Sequence, residues 1–505
     1  MTGPVILAID CGGTAVKILA FDLSGREIAH ETAAVETTHH PNGQVERDAE
    51  ALWRAAALAI RAVVAACDGR EILALGCTGF GNGIFLVDDS GRPTRPGIVS
   101  IDHRAQPLVD DLVAAGTACE IGQTTGNRPW GGQTVMQIAG LARSEPAVVD
   151  RTRWALACKD YIRFRLTGEA LTDPTDASGG GLIDLQCGGY ARSVLDQLGI
   201  GHLIDRLAPI LPSDAVAGRV TADAAAQTNL PVGLAVAGSM MDVAACVQGA
   251  GAAQRPLMTM IAGTWSINCL ESAGPAPDQV PILNMRFGQG RLIAEGSPCS
   301  AANLTWFLSN AMSGLLSYED VDALVSNAAV TERRCQFLPY VFGPEPRRGG
   351  FIGLGPGDDT GTMVRAIMEG VAFQHLRHAN DAVAQVPEAF PDTIRLAGGA
   401  ARSDVWGQIF ADICQREVQR VNAEEVGALG VAICASVACG AHASLEEATD
   451  AMTSVRHSHL PDSAHADIYT QRFAEFLRLD AGMVRLPEMT GSDLSNTSNH
   501  KEGIR

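Results

Sequence analysis

The first part of the chain alternates short apolar runs with polar turns. Three short runs with the character of strands cover residues 5–10, 16–22 and 27–35. Runs of this length, separated by glycine and serine, are typical of strands joined by hairpins. Apolar residues then recur at helical spacing over residues 48–67, and residues 72–76 return to a strand pattern. Antiparallel strands followed by alternating helices and strands predict a mixed α/β sheet.

The opening pattern recurs near the middle of the chain. Residues 257–268 repeat the strand, Gly-Thr turn and strand of residues 5–19, and Thr264 follows Thr14 at about half the chain length. This spacing indicates two similar lobes, each beginning with a hairpin that carries Gly-Thr at its tip. A chance match is the alternative, because short apolar segments ending in Gly-Thr are common.

Composition narrows the class of protein. The 505 residues include 38 Lys and Arg against 57 Asp and Glu, a net charge of −19. This size allows two or three domains with substantial cores. The charge, with no basic run, argues against nucleic acid as a partner. No apolar run approaches the ~20 residues of a membrane span, and the N-terminal segment lacks the basic region of a signal peptide.

The cysteines indicate a reducing compartment. They number 13, are scattered, and form no C-x-x-C pair. An odd, scattered set predicts buried reduced thiols in a cytoplasmic protein instead of disulfides or a zinc site. At the other end of the chain, about residues 486–505 are polar and rich in turn residues, and we expect this tail to be disordered.

The first segment whose residues could take part in binding or catalysis is the turn Asp10-Cys11-Gly12-Gly13-Thr14. Its glycines would let backbone N–H groups approach a phosphate, and the Asp at the strand end could hold hydrated Mg²⁺. An ordinary tight hairpin with a capping Asp is the equal alternative. The chain contains neither the P-loop sequence nor G-x-G-x-x-G, so any nucleotide binds by another route.

A second candidate is Asp242, which follows an apolar run and opens a helix of small residues. A lone carboxylate at such a junction is well placed as a general base for a substrate hydroxyl. Locally, a helix-capping or first-turn Asp explains the same position and is the more common case.

A third candidate is the glycine turn in residues 395–406, where an apolar strand leads into an amphipathic helix with Ser403 as a cap. Such a turn suits a phosphate or an adenine lying against glycines, although a plain strand-to-helix connection is equally compatible.

A fourth group of polar and aromatic residues follows strands of the first half of the chain. These residues could bind a polyol, or they could be loop residues and helix caps: Gly81, Asn82, Asp102, Arg104 and Trp130.

Taken in order, these segments resemble the FGGY carbohydrate kinase family. The resemblance extends to about residue 480 and is carried by Asp10 to Thr14 with Lys17, the Lys159-Asp160-Tyr161 segment, Asp242, Gly263-Thr264, Phe337-Leu338-Pro339-Tyr340, Arg365 to Gly370, and Gly398-Gly399-Ala400. It implies an α/β fold of two RNase H-like lobes of the actin/hexokinase type, with an ATP and sugar cleft between them. The expected boundaries are 1–247 for a sugar-binding lobe and 248–485 for an ATP-binding lobe.

The resemblance also implies roles for individual residues. Asp242 is expected to be the base and to contact the substrate, and Asp10 and Asp242 to hold Mg²⁺. The sugar is expected to meet Gly81, Asn82, Asp102, Arg104 and Trp130. The expected ATP contacts are Gly12, Gly13, Thr14, Lys17, Gly263, Thr264, Gly398, Gly399, Ala400 and Ser403.

The substrate expectation is a small ketose or polyol. The segments around residues 10–14, 81–88, 262–265 and 295–299 look most like the L-xylulose kinase branch, with erythritol kinases close behind. A tetritol or glycerol-type polyol is the alternative acceptor. The alternative from a different class of function is an actin-fold ATPase or a sugar-responsive regulatory protein without kinase activity. Whether the protein forms a homodimer is left open by the sequence.

Overall fold

The first lobe is built on a twisted sheet with helices on both faces. The computed structural model describes residues 3–251, 257–274, 280–328, 330, 335–343 and 347–493. The first-lobe strands are β1 (Val5–Cys11), β2 (Ala15–Asp22), β3 (Glu27–Ala34), β4 (Thr38–His39), β5 (Val45–Arg47), β6 (Ile72–Gly79), β7 (Phe85–Val87), β8 (Gly97–Ile98), β9 (Trp154–Leu156), β10 (Val216–Arg219), β11 (Ala235–Ala237) and β12 (Met240–Met241). Its helices are α1 (Ala49–Ala66), α2 (Gln106–Ala114), α3 (Thr117–Thr125), α4 (Thr134–Ser144), α5 (Pro146–Arg151), α6 (Cys158–Thr167), α7 (Pro174–Gly179), α8 (Arg192–Gln197), α9 (Ala222–Thr228) and α10 (Asp242–Gly249).

The second lobe repeats this architecture. Its strands are β13 (Met258–Ala262), β14 (Ser266–Ser272), β15 (Leu283–Phe287), β16 (Gly290–Ser297), β17 (Gln336–Leu338), β18 (Gly350–Ile352), β19 (Thr393–Ala397), β20 (Glu417–Val421) and β21 (Val455–His459). Its helices are α11 (Ala302–Trp306), α12 (Tyr318–Asn327), α13 (Thr360–Val383), α14 (Asp404–Cys414), α15 (Val426–Ala438), α16 (Leu445–Met452) and α17 (Ala466–Asp493).

The elements predicted from periodicity are present. The first three strands and β6 occupy the predicted runs, and α1 covers the predicted helical segment. Asp48 caps α1 by accepting a hydrogen bond from the Ala51 amide, and Leu52, Trp53 and Ile60 are buried along one face of the helix. Capping and a single apolar stripe explain why this stretch folds as a helix against the sheet.

The two large sheets share one strand order. In the first lobe the order is β11-β6-β1-β2-β3, and in the second it is β20-β19-β13-β14-β16. In each sheet the opening strands form an antiparallel hairpin, and the first of them also pairs in parallel with a later strand. The repeat seen at residues 257–268 therefore extends to an order of five strands that the two sheets share.

The lobes meet through small residues on α10 and α15. A Cβ added at Gly249 would collide with the Val426 carbonyl, and one added at Gly430 would collide with the Ala245 carbonyl. Without side chains at these positions the two helix backbones approach closely, as small residues permit. The contact also brings the N-termini of the two helices together, since a Cβ at Gly427 would lie 3.9 Å from the Asp242 carbonyl oxygen.

The end of the chain differs from the expectation. Helix α17 extends to Asp493, so residues 486–493 are helical where disorder was expected, and residues 494–505 lie outside the described part. The helical run continues a segment that packs Tyr469 and Phe476 into the second-lobe core. All 13 cysteines are free, as predicted, and nine of them are buried. Among the described residues no helix is long and apolar enough to cross a membrane.

Candidate active site

Two carboxylates meet at one edge of the first-lobe sheet. Asp10 lies near the carboxyl end of β1, opposite Thr78 of the parallel neighbour β6. On the other side of β6, Met240 and Met241 of β12 pair in parallel with Thr78 and Gly79, and Asp242 follows directly. Carboxyl ends of parallel strands share one edge of a sheet, and ligands bind there in open α/β folds. The structure thus brings together the predicted base and the predicted metal ligand.

The environment of Asp242 suits a proton acceptor at neutral pH. Burial raises the pKa of Asp242 to about 7, with a further contribution from the charge of Asp10. Opposing this, the Val243 amide donates to the carboxylate at 2.8 Å, and the Gly81 amide also favours the charged form. Burial likewise raises the pKa of Asp10 to about 6, against the lowering effect of Lys17. A base is most effective when its pKa lies near the working pH.

The turn after β1 is fixed from inside the protein. The Arg47 side chain, which is buried, donates to the Gly12 carbonyl at 3.1 Å and to the Gly13 carbonyl. Gly13 and Thr14 themselves are exposed at the hairpin tip. The sequence analysis missed Arg47, because nothing in an isolated Arg on a short strand shows that it reaches a turn more than thirty residues away.

Lys17 connects the two lobes. It lies opposite Asp10 in the β1–β2 register, and its Nζ is 2.7 Å from Oε2 of Glu425, the residue that precedes α15. Both side chains are partly exposed. The predicted phosphate contact Lys17 is therefore held beside Asp10 by an acid from the second lobe.

A cavity of about 890 Å³ lies in the second lobe beside the hairpin tip. Gly263, Thr264, Gly399 and Ser403 line it, as predicted for ATP contacts. Gly398 and Ala400 flank these residues but do not line the cavity. Other residues that line the cavity were not among the predicted ATP contacts. Arg402 and Trp406 lie in the glycine-turn segment 395–406, and the rest include Thr305, Trp306, Asn310, Tyr318, Asp322, Phe342 and Met368. The volume is that of a site for a drug-sized or nucleotide-sized ligand.

Ser403 has the capping role that its position predicted. Its Oγ accepts from the Trp406 amide at 3.0 Å and donates to Asp322 at 2.7 Å. Because Asp322 lies on α12, this hydrogen bond joins two of the elements that line the cavity. Gly398, with φ +84°, lies against the backbone of Ala262 and Gly263, so the glycine turn and the hairpin tip are in direct contact.

The loop after β6 brings two of the predicted sugar contacts, Gly81 and Asn82, toward Asp242. Gly81 packs against the side chain of Met241, which leaves no room for a Cβ. Asn82 adopts φ +66°, and its Oδ1 accepts from the Thr134 amide at 3.3 Å. Trp130 belongs to the facing loop, which joins the loop of Asn82 where the Gly83 amide donates to the Gly132 carbonyl.

Asp102 and Arg104 are placed differently from the other predicted sugar contacts. Asp102 is fully buried, and its two oxygens accept from the Val45 amide at 2.5 Å, the Arg104 amide at 2.8 Å and the Arg104 guanidinium. Burial alone would raise the pKa of Asp102, but these donors lower it. Arg104 also donates to Glu46 at 2.8 Å. Both side chains are thus engaged within the first lobe, and their contact with substrate stays a prediction.

Comparison with known proteins decides the family. The model of the FGGY family of carbohydrate kinases matches residues 5–249 with its N-terminal domain and residues 258–439 with its C-terminal domain. The chain belongs to the FGGY family of carbohydrate kinases. It is an ATP-dependent phosphotransferase that acts on a sugar hydroxyl, and kinases of this family use ATP with a divalent metal ion.

Individual relatives of this FGGY kinase are distant but cover nearly its whole length. The L-xylulose/3-keto-L-gulonate kinase of Escherichia coli is 29% identical, over 94% of this chain and 97% of its own. The erythritol kinase of Brucella abortus is 28% identical, over 94% and 95%. The structure of a xylulose kinase from Lactobacillus acidophilus superposes with a TM-score of 0.87 at 21% identity, covering 95% of this chain and 98% of the other. The last match confirms the predicted two-lobed fold.

Proposed function

We propose that this FGGY kinase transfers the γ-phosphoryl group of MgATP to a pentulose, with L-xylulose as the first candidate. The observation that carries the proposal is the half-buried Asp242 carboxylate, which lies beside the Gly81-Asn82 loop at the same sheet edge as Asp10. The likeness to L-xylulose kinases over nearly the whole chain supports the choice of acceptor. Erythritol is the second candidate, supported by the erythritol kinase relative.

In the proposed reaction, the Asp242 carboxylate accepts the proton of the sugar hydroxyl. The hydroxyl oxygen then forms a bond to the γ-phosphorus while the bond to the β-phosphate oxygen breaks, and ADP leaves. Phosphoryl transfer depends mainly on positioning and charge stabilisation, because the protein makes no covalent intermediate. Thr14 and Thr264, at the tips of the two hairpins, are proposed to face the phosphates from opposite lobes. Gly12, Gly13, Lys17, Gly263 and the turn from Gly398 to Ser403 are proposed to complete the ATP site.

The donor set at the sheet edge fits Mg²⁺. Asp10 and Asp242 supply carboxylate oxygens, the ligands that Mg²⁺ prefers. The charge of Asp10 contributes to the raised pKa of Asp242, which shows that the two acids lie close together. Among the described residues Asp242 has no ion-pair partner, and Lys17 is shared with Glu425. Asp10 and Asp242 would therefore hold the ion, which neutralises negative charge on the triphosphate when bound.

Two measurements test the proposed function. The first is ADP release with MgATP against L- and D-xylulose, L- and D-ribulose, erythritol, xylitol and glycerol. L-xylulose should give the highest kcat/KM, and a clear preference for erythritol or glycerol would replace the pentulose as acceptor.

The second measurement is the rate of the Asp242→Ala variant. Removal of a general base should lower kcat by about 10²–10⁴-fold, while the affinity for ATP measured by calorimetry without Mg²⁺ changes little. Asp223→Ala is the matched control, because Asp223 is also a first-turn acid of a short helix but lies on α9. Unchanged turnover in Asp242→Ala would remove Asp242 from this role.

A further inference from the structure

A buried charge cluster lies beneath the base-bearing edge of the first lobe. The Nζ of Lys159 is 2.6 Å from a carboxylate oxygen of Asp160, 2.5 Å from one of Asp173 and 2.9 Å from one of Asp176. Arg163 adds a second cation, 2.9 Å from Asp160. The three acids could in principle surround a metal ion, but the Lys159 ammonium group occupies the position between them. The cluster is therefore a structural ion network.

One arm of this network ends on the backbone beside Asp242. Asp173 accepts from both the hydroxyl and the amide of Thr175, at 2.5 and 2.8 Å. The Thr175 Oγ1 in turn accepts from the amide of Met241 at 2.8 Å. Thr175 is buried, and Met241 is the residue immediately before Asp242. A continuous chain of contacts thus runs from Lys159 to the backbone amide of the residue before the base.

Residues 238–241, which precede Asp242 in the chain, are also held by hydrogen bonds from buried side chains. Arg163 donates to the Gly238 carbonyl, and Thr78 Oγ1 donates to the Met240 carbonyl at 2.8 Å. Ser239 has φ +79°, which is unusual for a residue with a Cβ, and its Oγ accepts from the Cys77 amide at 2.9 Å. A strained backbone persists only where its surroundings fix it. The side chains around residues 238–241 supply that constraint, because β12 itself has only two residues.

We propose that Thr175, anchored by the Lys159 cluster through Asp173, is a positioning residue for the Asp242 carboxylate. The inference rests on the proposed function of Asp242 as the base. Thr175 touches neither reactant in this scheme and acts only through the Met241 peptide. A displacement of about 1 Å at a reacting group can cost roughly 10²-fold in rate, so loss of one anchor should be visible in turnover. Preorganised sites depend on such supporting hydrogen bonds.

The test replaces the Thr175 hydroxyl without changing side-chain size. Thr175→Val removes the acceptor for the Met241 amide, and Thr175→Ser keeps it. We expect Thr175→Val to lower kcat about tenfold with the KM for ATP nearly unchanged, and Thr175→Ser to stay within about twofold of the parent.

A double-mutant cycle separates positioning from general damage. In the Asp242→Ala background the base is gone, so Thr175→Val should change the residual kcat less than about twofold if it acts through Asp242. A tenfold loss in both backgrounds, or no loss in either, would overturn the proposal. Thr78→Val, which removes the anchor of the Met240 carbonyl, allows the same cycle if Thr175→Val does not fold. If Asp242→Ala alone keeps full turnover, the proposed function fails instead.

Discussion

Gly398→Ala should weaken ATP binding by disturbing the second hairpin. Gly398 has φ +84° and ψ −170°, a backbone region that is nearly exclusive to glycine. An added Cβ would lie 2.7 Å from the carbonyl carbon and oxygen of Ala262 and 2.9 Å from the Gly263 nitrogen. These are backbone atoms, so no side-chain rotation relieves the clash. Ordinary contact requires at least 3.4 Å, and the hairpin tip and the glycine turn must therefore separate by about 0.7 Å.

The size of the effect follows from this displacement. Loss of one hydrogen bond to a charged group costs about 1.5–3 kcal/mol, which corresponds to a decrease in ATP affinity of roughly 10–100-fold. The backbone strain adds about 1–3 kcal/mol to the loss of folding stability. The KM of the sugar should change little, because its proposed contacts lie on the first lobe.

Calorimetry with ATP and the KM for ATP in an ADP-release assay measure the effect. Gly440→Ala is the matched control, since Gly440 has φ +78° but its added Cβ meets nothing within 4 Å. It should lose stability through the same type of strain and keep its ATP affinity. Unchanged ATP affinity in a folded Gly398→Ala protein would refute the idea that the two turns form one rigid ATP-binding unit.

Two further predictions concern pH and specificity. Burial raises the pKa of Glu271 from 4.5 to about 7, so between these values the folded state holds the proton and stability falls as pH rises. Glu271→Gln should therefore stabilise the protein by roughly 1–3 kcal/mol at pH 8 and much less at pH 5; urea unfolding curves that differ equally at both pH values would contradict this. Asn82→Gly, which keeps a positive φ accessible, should raise the KM of the sugar about tenfold and that of ATP less than twofold, whereas equal rises would place Asn82 outside the sugar site.

The strands, turns and helix caps that depend on short-range patterns could be predicted from the sequence. Alternation and helical spacing located the opening strands and α1, and the Gly-Thr turn at residue 264 revealed the second hairpin. Asp10 was recognised as a strand-end acid and Asp242 as an acid that opens a helix, and only the resemblance to the family gave the two a shared role. Ser403 was identified as a cap because its hydrogen bond is local.

What the sequence did not predict depends on contacts between distant segments. The engagement of Asp102 with Val45 requires knowledge of how β5 and the following loop pack. Arg47 and Asp322 act on segments far away along the chain, so no local pattern marks them. The helix through residue 493 was missed because its polar composition resembles that of a disordered tail, whereas the packing of the preceding turns supports it.

The α10–α15 contact has a consequence for motion between the lobes. Where backbone lies on backbone, there are no side chains that must change rotamer as one helix turns on the other. At the two glycine positions, a small rotation of one helix against the other needs no repacking of side chains. Because α10 begins at Asp242 and α15 directly follows Glu425, a rotation at this contact would move these two acids relative to each other. The glycines at 249 and 430 thereby permit the close contact of the two helices on which such a rotation depends.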